Sequence, residues 1–204
     1  MTSPSDLEAI FGFALELDRL KAVLRRTRPT GLGRYENSAE HSWQICLVAL
    51  VLARRCRVPV DVQRVLEMLL VHDVPEIDCG DQFVYARDAA ERHAAEGAAA
   101  ERLFGLLPEP EGSRLLERWR EFEARETPEA IFAYAVDRLL PVLQNLHAGA
   151  QGSWREHGVP LHRVTAVNGA IADALPEVWA ELEPRIAALF ASPEMSRAEP
   201  GAGS

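Results

Sequence analysis

The sequence predicts an all-α fold, a single bundle of about six to eight helices. Three observations lead there. Apolar residues recur at spacings of three and four, no stretch shows the strict alternation of a half-buried strand, and helix-start signals stand before several apolar segments. Leu7, Ile10, Phe11, Ala14, Leu17 and Leu20 form one stripe and a first helix. Arg28 to Tyr35 holds Pro29, Gly31 and Gly33 and is a loop. Asn37 and Glu40 then stand in capping-box relation ahead of the apolar run Ile45 to Leu52, so His41 falls in a helix's first turns.

Pro59 and Asp61 introduce Val65 to Val71, apolar on nearly every side as in a buried central helix, and Pro75 ends that helix close to Asp73. Asp88 to Leu107 is an alanine-rich helix closed by Pro108, and Ser113 to Arg125 is another. Thr127-Pro128-Glu129 combines an N-cap, a first-turn proline and an acid at the positive helix end, and opens a helix reaching about Leu146. Gly149 to Pro160 is expected as a loop, Leu161 to Leu189 as one or two further helices, and Ser192 to Ser204 as a flexible tail. One domain over residues 1–191 follows, with core motifs in 7–147 and extra helices in 161–189.

With 22 Lys+Arg against 31 Asp+Glu, the net charge of -9 excludes a general binder of nucleic-acid polymers. Basic residues nevertheless cluster: Arg19, Lys21, Arg25, Arg26, Arg28 and Arg34 share a stretch without an acid, suited to a small anion. Cys46, Cys56 and Cys79 show no C-x-x-C spacing, which argues against a disulfide framework or a cysteine zinc site and for a reducing, cytoplasmic setting. No apolar run approaches the ~20 residues of a membrane span, so no membrane association is expected.

His72 and Asp73 end a long apolar run. Two adjacent polar groups buried there need partners, and a cation at the negative helix end satisfies both, although a helix end that reaches solvent explains the pair as well. Asp137 stands among Ile131, Phe132, Ala135, Leu139 and Leu140, where a carboxylate is rare unless paired or ligating metal, and Pro141 deprives the Asp137 carbonyl of its helical partner. A surface neighbour of Arg138 is the plainer alternative. His41 alone reads as a capping or exposed histidine.

Glu36 to His41 (ENSAEH), His72 to Asp81 (HDVPEIDCGD) and Asp137 in AVDRLL together resemble the HD-domain superfamily, specifically its bacterial 5'-deoxynucleotidase branch and the related eukaryotic proteins. The resemblance runs from about Leu7 to His147 and takes in Leu20-Lys21, Leu106 to Pro108 and Thr127 to Ala130. It implies an HD-domain helical bundle with one divalent metal on His41, His72, Asp73 and Asp137. Glu76 is implied as the catalytic acid-base group and Asp81 as a residue near the sugar or a weak second magnesium or manganese, shared with Glu76. The phosphate-binding arginine falls on Arg25 counting from Lys21 and on Arg26 counting back from His41, with Arg34 a second anion contact. The family's tryptophan after that arginine is absent, for Thr27 and Arg28 stand there.

The expected activity is hydrolysis of (deoxy)nucleoside 5'-monophosphates by metal-activated water. The alternatives are hydrolysis of another phosphoester and a noncatalytic nucleotide or metal sensor. The mixed imidazole and carboxylate set accepts manganese, cobalt, iron, zinc or nickel alike. His93, beside Arg92 and Glu96, reads as a surface residue, Gln144 takes no firm role, and a homodimer is allowed through the segments after His147.

Overall fold

The computed structural model describes residues 4–81, 84–85 and 89–196. Among them the structure is all-α, with an isolated antiparallel bridge between Leu24 and Asn37. The longer helices are α1 (Pro4–Asp18), α2 (Ser38–Leu52), α3 (Val62–Val71), α5 (Ala89–Phe104), α6 (Glu111–Ala124), α7 (Pro128–Ala148), α9 (Leu161–Asn168) and α11 (Pro176–Ala191). One-turn helices α4 (Glu76–Cys79), α8 (Ser153–Glu156), α10 (Ile171–Ala174) and α12 (Pro193–Ser196) lie between or after them.

The start signals act as their chemistry requires. Asn37 Oδ1 accepts from Glu40 N at 2.9 Å while Glu40 Oε2 accepts from Asn37 N at 3.4 Å, completing the capping box that opens α2. Asp61 Oδ1 accepts from Gln63 N and Arg64 N at the start of α3, and Thr127 Oγ1 accepts from Ala130 N at the start of α7. Arg125 closes α6 in the left-handed conformation.

Two adjoining apolar clusters make up the core. Ile45, Val65, Met68, Leu69, Phe132 and Val136 pack α2, α3 and α7 together, joined by Ile171, Leu182 and Ile186. Leu20, Val71, Val74, Ile77, Leu103, Phe104 and Trp119 form the second cluster. The chain from Met68 to Ile77 passes from one cluster into the other, so His72 and Asp73 sit at the seam between them. That seam is the interior position where two polar side chains can meet groups from α2 and α7.

Several expectations need correction. In α1 no residue is fully buried, and Leu7, Phe11 and Leu15 are exposed although Phe13 and Leu17 pack on the second cluster. The stretch from Gly149 to Pro160 is not a plain loop, because α8 buries Trp154 in the main core. Leu161 to Leu189 holds three helical segments, broken where Gly169 packs on the Thr165 carbonyl too closely for a Cβ, and again where Pro176 restarts the helix after Leu175. In the tail, residues 193–196 form a helical turn, and 197–204 lie outside the described residues, as does Asp88, the expected start of α5. Helix α7 runs through Pro141, whose carbonyl accepts from Asn145 Nδ2 at 2.8 Å. Among the described residues no helix is long and apolar enough to cross a membrane.

Phe132 is fully buried where α2, α3 and α7 meet. Phe132→Ala is expected to lower unfolding stability by about 3–5 kcal/mol, and Thr127→Ala by about 1 kcal/mol, both read from urea denaturation midpoints at constant m-value.

Candidate active site

Helix α2 carries His41 inward from its first turn, the end of α3 supplies His72 and Asp73, and α7 supplies Asp137. All four are buried. His41 Nε2 lies 2.9 Å from Asp137 Oδ1, and His72 Nε2 lies 2.9 Å from Asp73 Oδ1 and 3.7 Å from Asp137 Oδ1. Donor atoms of His41, His72 and Asp73 fall within 4.8 Å of one another.

The donor set fits a divalent cation. The His72 ring is oriented by its Nδ1–H, which donates to the Leu69 carbonyl at 2.9 Å. Its buried Nε2 has no hydrogen-bond partner and points at carboxylate oxygens. In the neutral ring that nitrogen is a lone pair facing lone pairs, an arrangement a positive charge between them resolves. Burial lowers the His72 pKa, but the charges of Asp73 and Asp137 outweigh it and push it up to about 10, so without a metal a proton on Nε2 supplies that positive charge and a bound cation would displace it. Burial works the other way on Asp73, yet His72 and Arg25 hold its carboxyl below the usual range. Asp137 is likewise held low against burial by Arg138 and the two histidines.

Arg25 is buried at the centre of these acids: Nη1 donates to Asp73 Oδ2 at 2.6 Å, Nη2 is 3.9 Å from Asp137, and Nε is 3.7 Å from Glu36. Its backbone fixes it there, because Arg25 N donates to Glu36 O and Glu36 N donates to Thr27 O across the isolated bridge. Arg26 is exposed at the rim of the same cleft. Arg34 is not brought to the site. It is exposed and forks onto the two Glu40 carboxyl oxygens at 2.8 and 2.6 Å. Arg28 pairs with Glu156 and lies over the Tyr35 ring.

Glu76 opens α4 and accepts from Ser38 Oγ at 2.6 Å. Burial and the charge of Asp73 push its pKa up to about 8. Gly80, with φ 74°, turns the chain so that Asp81 lines the cleft with Arg25, Asp73 and Glu76, and burial raises the Asp81 pKa. Among the described residues Glu76 and Asp81 join no group of three donors close enough to share an ion. A second such group is His93, Glu96 and Glu123, in which His93 stacks on Trp119.

A cleft of about 90 Å³ leads from Arg25, Asp73, Glu76 and Asp81 to Tyr85, Trp154 and Asn168, while a larger one of about 450 Å³ opens on His72, Asp73 and Asp137 from the side of α5 and α6. Three parts of this site were not singled out from sequence. Arg138 donates twice to Asp137 Oδ2, at 3.0 and 2.5 Å, in a pairing that is largely buried and not at the surface. Glu36 is fully buried and accepts from Gln144 Nε2 at 2.8 Å. The Tyr85 hydroxyl accepts from Trp154 Nε1 and Asn168 Nδ2. For Glu36 a signal existed, since an acid just before an N-cap sat inside a recognised motif. Trp154 gave none, as its segment reads as loop.

The HD domain family model matches residues 17–179. The 5'-deoxynucleotidase HDDC2 of Xenopus laevis is 30% identical over 139 residues, which are 65% of this chain and 67% of that protein. The 5'-deoxynucleotidase YfbR of Shigella flexneri is 32% identical over 106 residues, 48% of this chain and 53% of that protein. The chain thus spans about two thirds of the frog relative's length and about half of the bacterial one's. A crystal structure described as a predicted metal-dependent phosphohydrolase from Magnetospirillum magnetotacticum MS-1 superposes with a TM-score of 0.84 at 39% identity, covering 91% of this chain and 96% of that one. With the family model matching most of its length, this chain belongs to the HD-domain family.

Proposed function

We propose that this protein is a metal-dependent phosphomonoesterase that hydrolyses (deoxy)nucleoside 5'-monophosphates to nucleoside and inorganic phosphate. One observation carries the reading: two histidines and two aspartates converge in a buried seam, with Arg25 paired to Asp73 and Glu76 lining the same cleft. The names of the similar proteins, 5'-deoxynucleotidase and metal-dependent phosphohydrolase, support it.

His41, His72, Asp73 and Asp137 would hold one divalent ion, which supplies Lewis acidity toward a phosphate oxygen and makes a bound water more acidic. Arg25 offers its remaining N–H groups to the phosphate, and Arg26 adds positive charge at the rim. Glu76, poised by burial near neutral pH and anchored by Ser38, takes the proton of the attacking water as its oxygen bonds to phosphorus. The P–O5' bond breaks, and Glu76 returns the proton to the departing 5'-oxygen. Asp81 faces the same space and accepts from a sugar hydroxyl. A weak second magnesium or manganese would have to use Glu76 and Asp81 with water or substrate oxygens completing its shell.

The three cysteines form no disulfide with one another, which suits a reducing compartment such as the cytoplasm. A homodimer could form through the segments after His147, whose outer faces are exposed, or through α2, where Trp43, Leu47, Leu50 and Val51 are exposed.

The test is phosphate release from a panel of deoxy- and ribonucleoside 5'-monophosphates with manganese, cobalt, magnesium or zinc. Metal-dependent release is expected. Release only from other phosphoesters would redirect the substrate, as the absent tryptophan after Arg25 allows, and nucleotide binding without any release would make the protein a sensor. Asp73→Ala should abolish turnover and weaken metal retention, so an active, metal-replete variant contradicts the reading. Glu76→Gln should keep the metal and lower kcat by about 10²–10⁴-fold, measured at saturating substrate. Chelation should also lower the melting temperature, because metal at a hundred times its Kd adds about 2.7 kcal/mol of stability; calorimetry with and without EDTA reads this directly.

A further inference from the structure

Two buried nitrogens beside the metal-binding groups lack hydrogen-bond partners: Arg25 Nε and His41 Nδ1. Both face one atom, Glu36 Oε2, at 3.7 and 3.3 Å respectively. The Glu36 carboxyl is itself held from behind, since Gln144 Nε2 donates to Oε1 at 2.8 Å and Thr27 Oγ1 donates to Oε2 at 3.4 Å. Its backbone is pinned by the bonds to Arg25 and Thr27. An acid so fully enclosed is costly to bury unless it serves several donors.

The His41 ring leaves two neutral arrangements. With the proton on Nε2 it donates to Asp137 Oδ1 at 2.9 Å, and a Nδ1 lone pair then faces the Glu36 oxygen in a buried place. With the proton on Nδ1, Glu36 Oε2 is the acceptor at 3.3 Å, and the Nε2 lone pair faces Asp137 Oδ1 at 2.9 Å beside His72 and Asp73, where a cation would lie between them. Only the second arrangement makes His41 a ligand, and a carboxylate behind the ring is the partner that selects it.

We propose that Glu36 is the positioning residue for His41: it accepts the Nδ1 proton, fixes the ring with Nε2 toward the metal, and is itself held by Gln144 from α7. The inference rests on the metal-site reading above. It also gives Gln144 a role, one step removed from the metal.

The experiment compares Mn²⁺ binding by calorimetry to the chelated full-length protein and to Glu36→Ala, Glu36→Gln and Gln144→Leu. Glu36→Ala should weaken binding by about 10–100-fold, Glu36→Gln should recover most of that loss because its amide oxygen still accepts, and Gln144→Leu should fall between wild type and Glu36→Ala. Wild-type affinity in a folded Glu36→Ala protein, or equal losses in the Gln and Ala variants, would overturn the inference while leaving the phosphohydrolase in place. Nitrogen-15 spectra of the zinc-loaded wild-type protein supply a readout independent of the variants' folding: a His41 protonated on Nδ1 and bound to metal through Nε2 is expected, and a His41 protonated on Nε2 would overturn the proposal. Wild-type protein that binds no Mn²⁺ would overturn the metal reading and this inference with it.

Discussion

Everything about this molecule turns on how four buried acids are kept in one place. Glu36, Asp73, Glu76 and Asp137 are all buried around the single guanidinium of Arg25. Carboxylates so placed repel one another and have lost their water, and one arginine cannot satisfy four of them. Arg138 stacks a second cation on the outer oxygen of Asp137, and Ser38 and Gln144 contribute neutral donors to Glu76 and Glu36. What remains is a concentrated negative potential with two imidazoles in it. A divalent cation is the natural counter-charge, and a phosphate drawn in beside that cation meets Arg25 as well.

The fold exists in large part to hold that arrangement rigid. Five elements supply the groups: the segment at Arg25, the start of α2, the end of α3, the start of α4 and the middle of α7. Packing of α2, α3 and α7 through Ile45, Met68, Leu69, Phe132 and Val136 sets their spacing. The bridge between Leu24 and Asn37 ties the arginine segment to the capping box, so one local structure orients Arg25, Glu36 and the start of α2 together. Positioning of this kind relies on side chains whose rotamers are locked by neighbours, and full burial of His41 and Glu36 provides the lock.

The legible part of the sequence was the part written in periodicity and caps. Asn37, Asp61 and Thr127 cap their helices as their chemistry dictates, whereas α3, expected to be buried all round, buries Val65, Met68, Leu69 and Val71 on one face and leaves Leu70 exposed. Asp137 among apolar neighbours and His72-Asp73 at the end of an apolar run were visible as buried polar groups in need of partners. Arg34 shows the limit of reading charge by position, because a nearby acid, Glu40, claims it at the surface. Trp154 shows another. One helical turn between glycine-rich segments carries no periodic signal, so its burial against Phe190 and its bond to Tyr85 appear only once the chain is folded. The three-segment course of 161–191 depended on a close backbone contact at Gly169, which spacing of apolar residues does not encode.

The measurement closest to the central claim is anomalous diffraction from crystals of the protein loaded with manganese. A peak bounded by His41 Nε2, His72 Nε2, Asp73 and Asp137 is the predicted result. A peak confined to His93, Glu96 and Glu123, or none in the seam at saturating metal, would contradict the account.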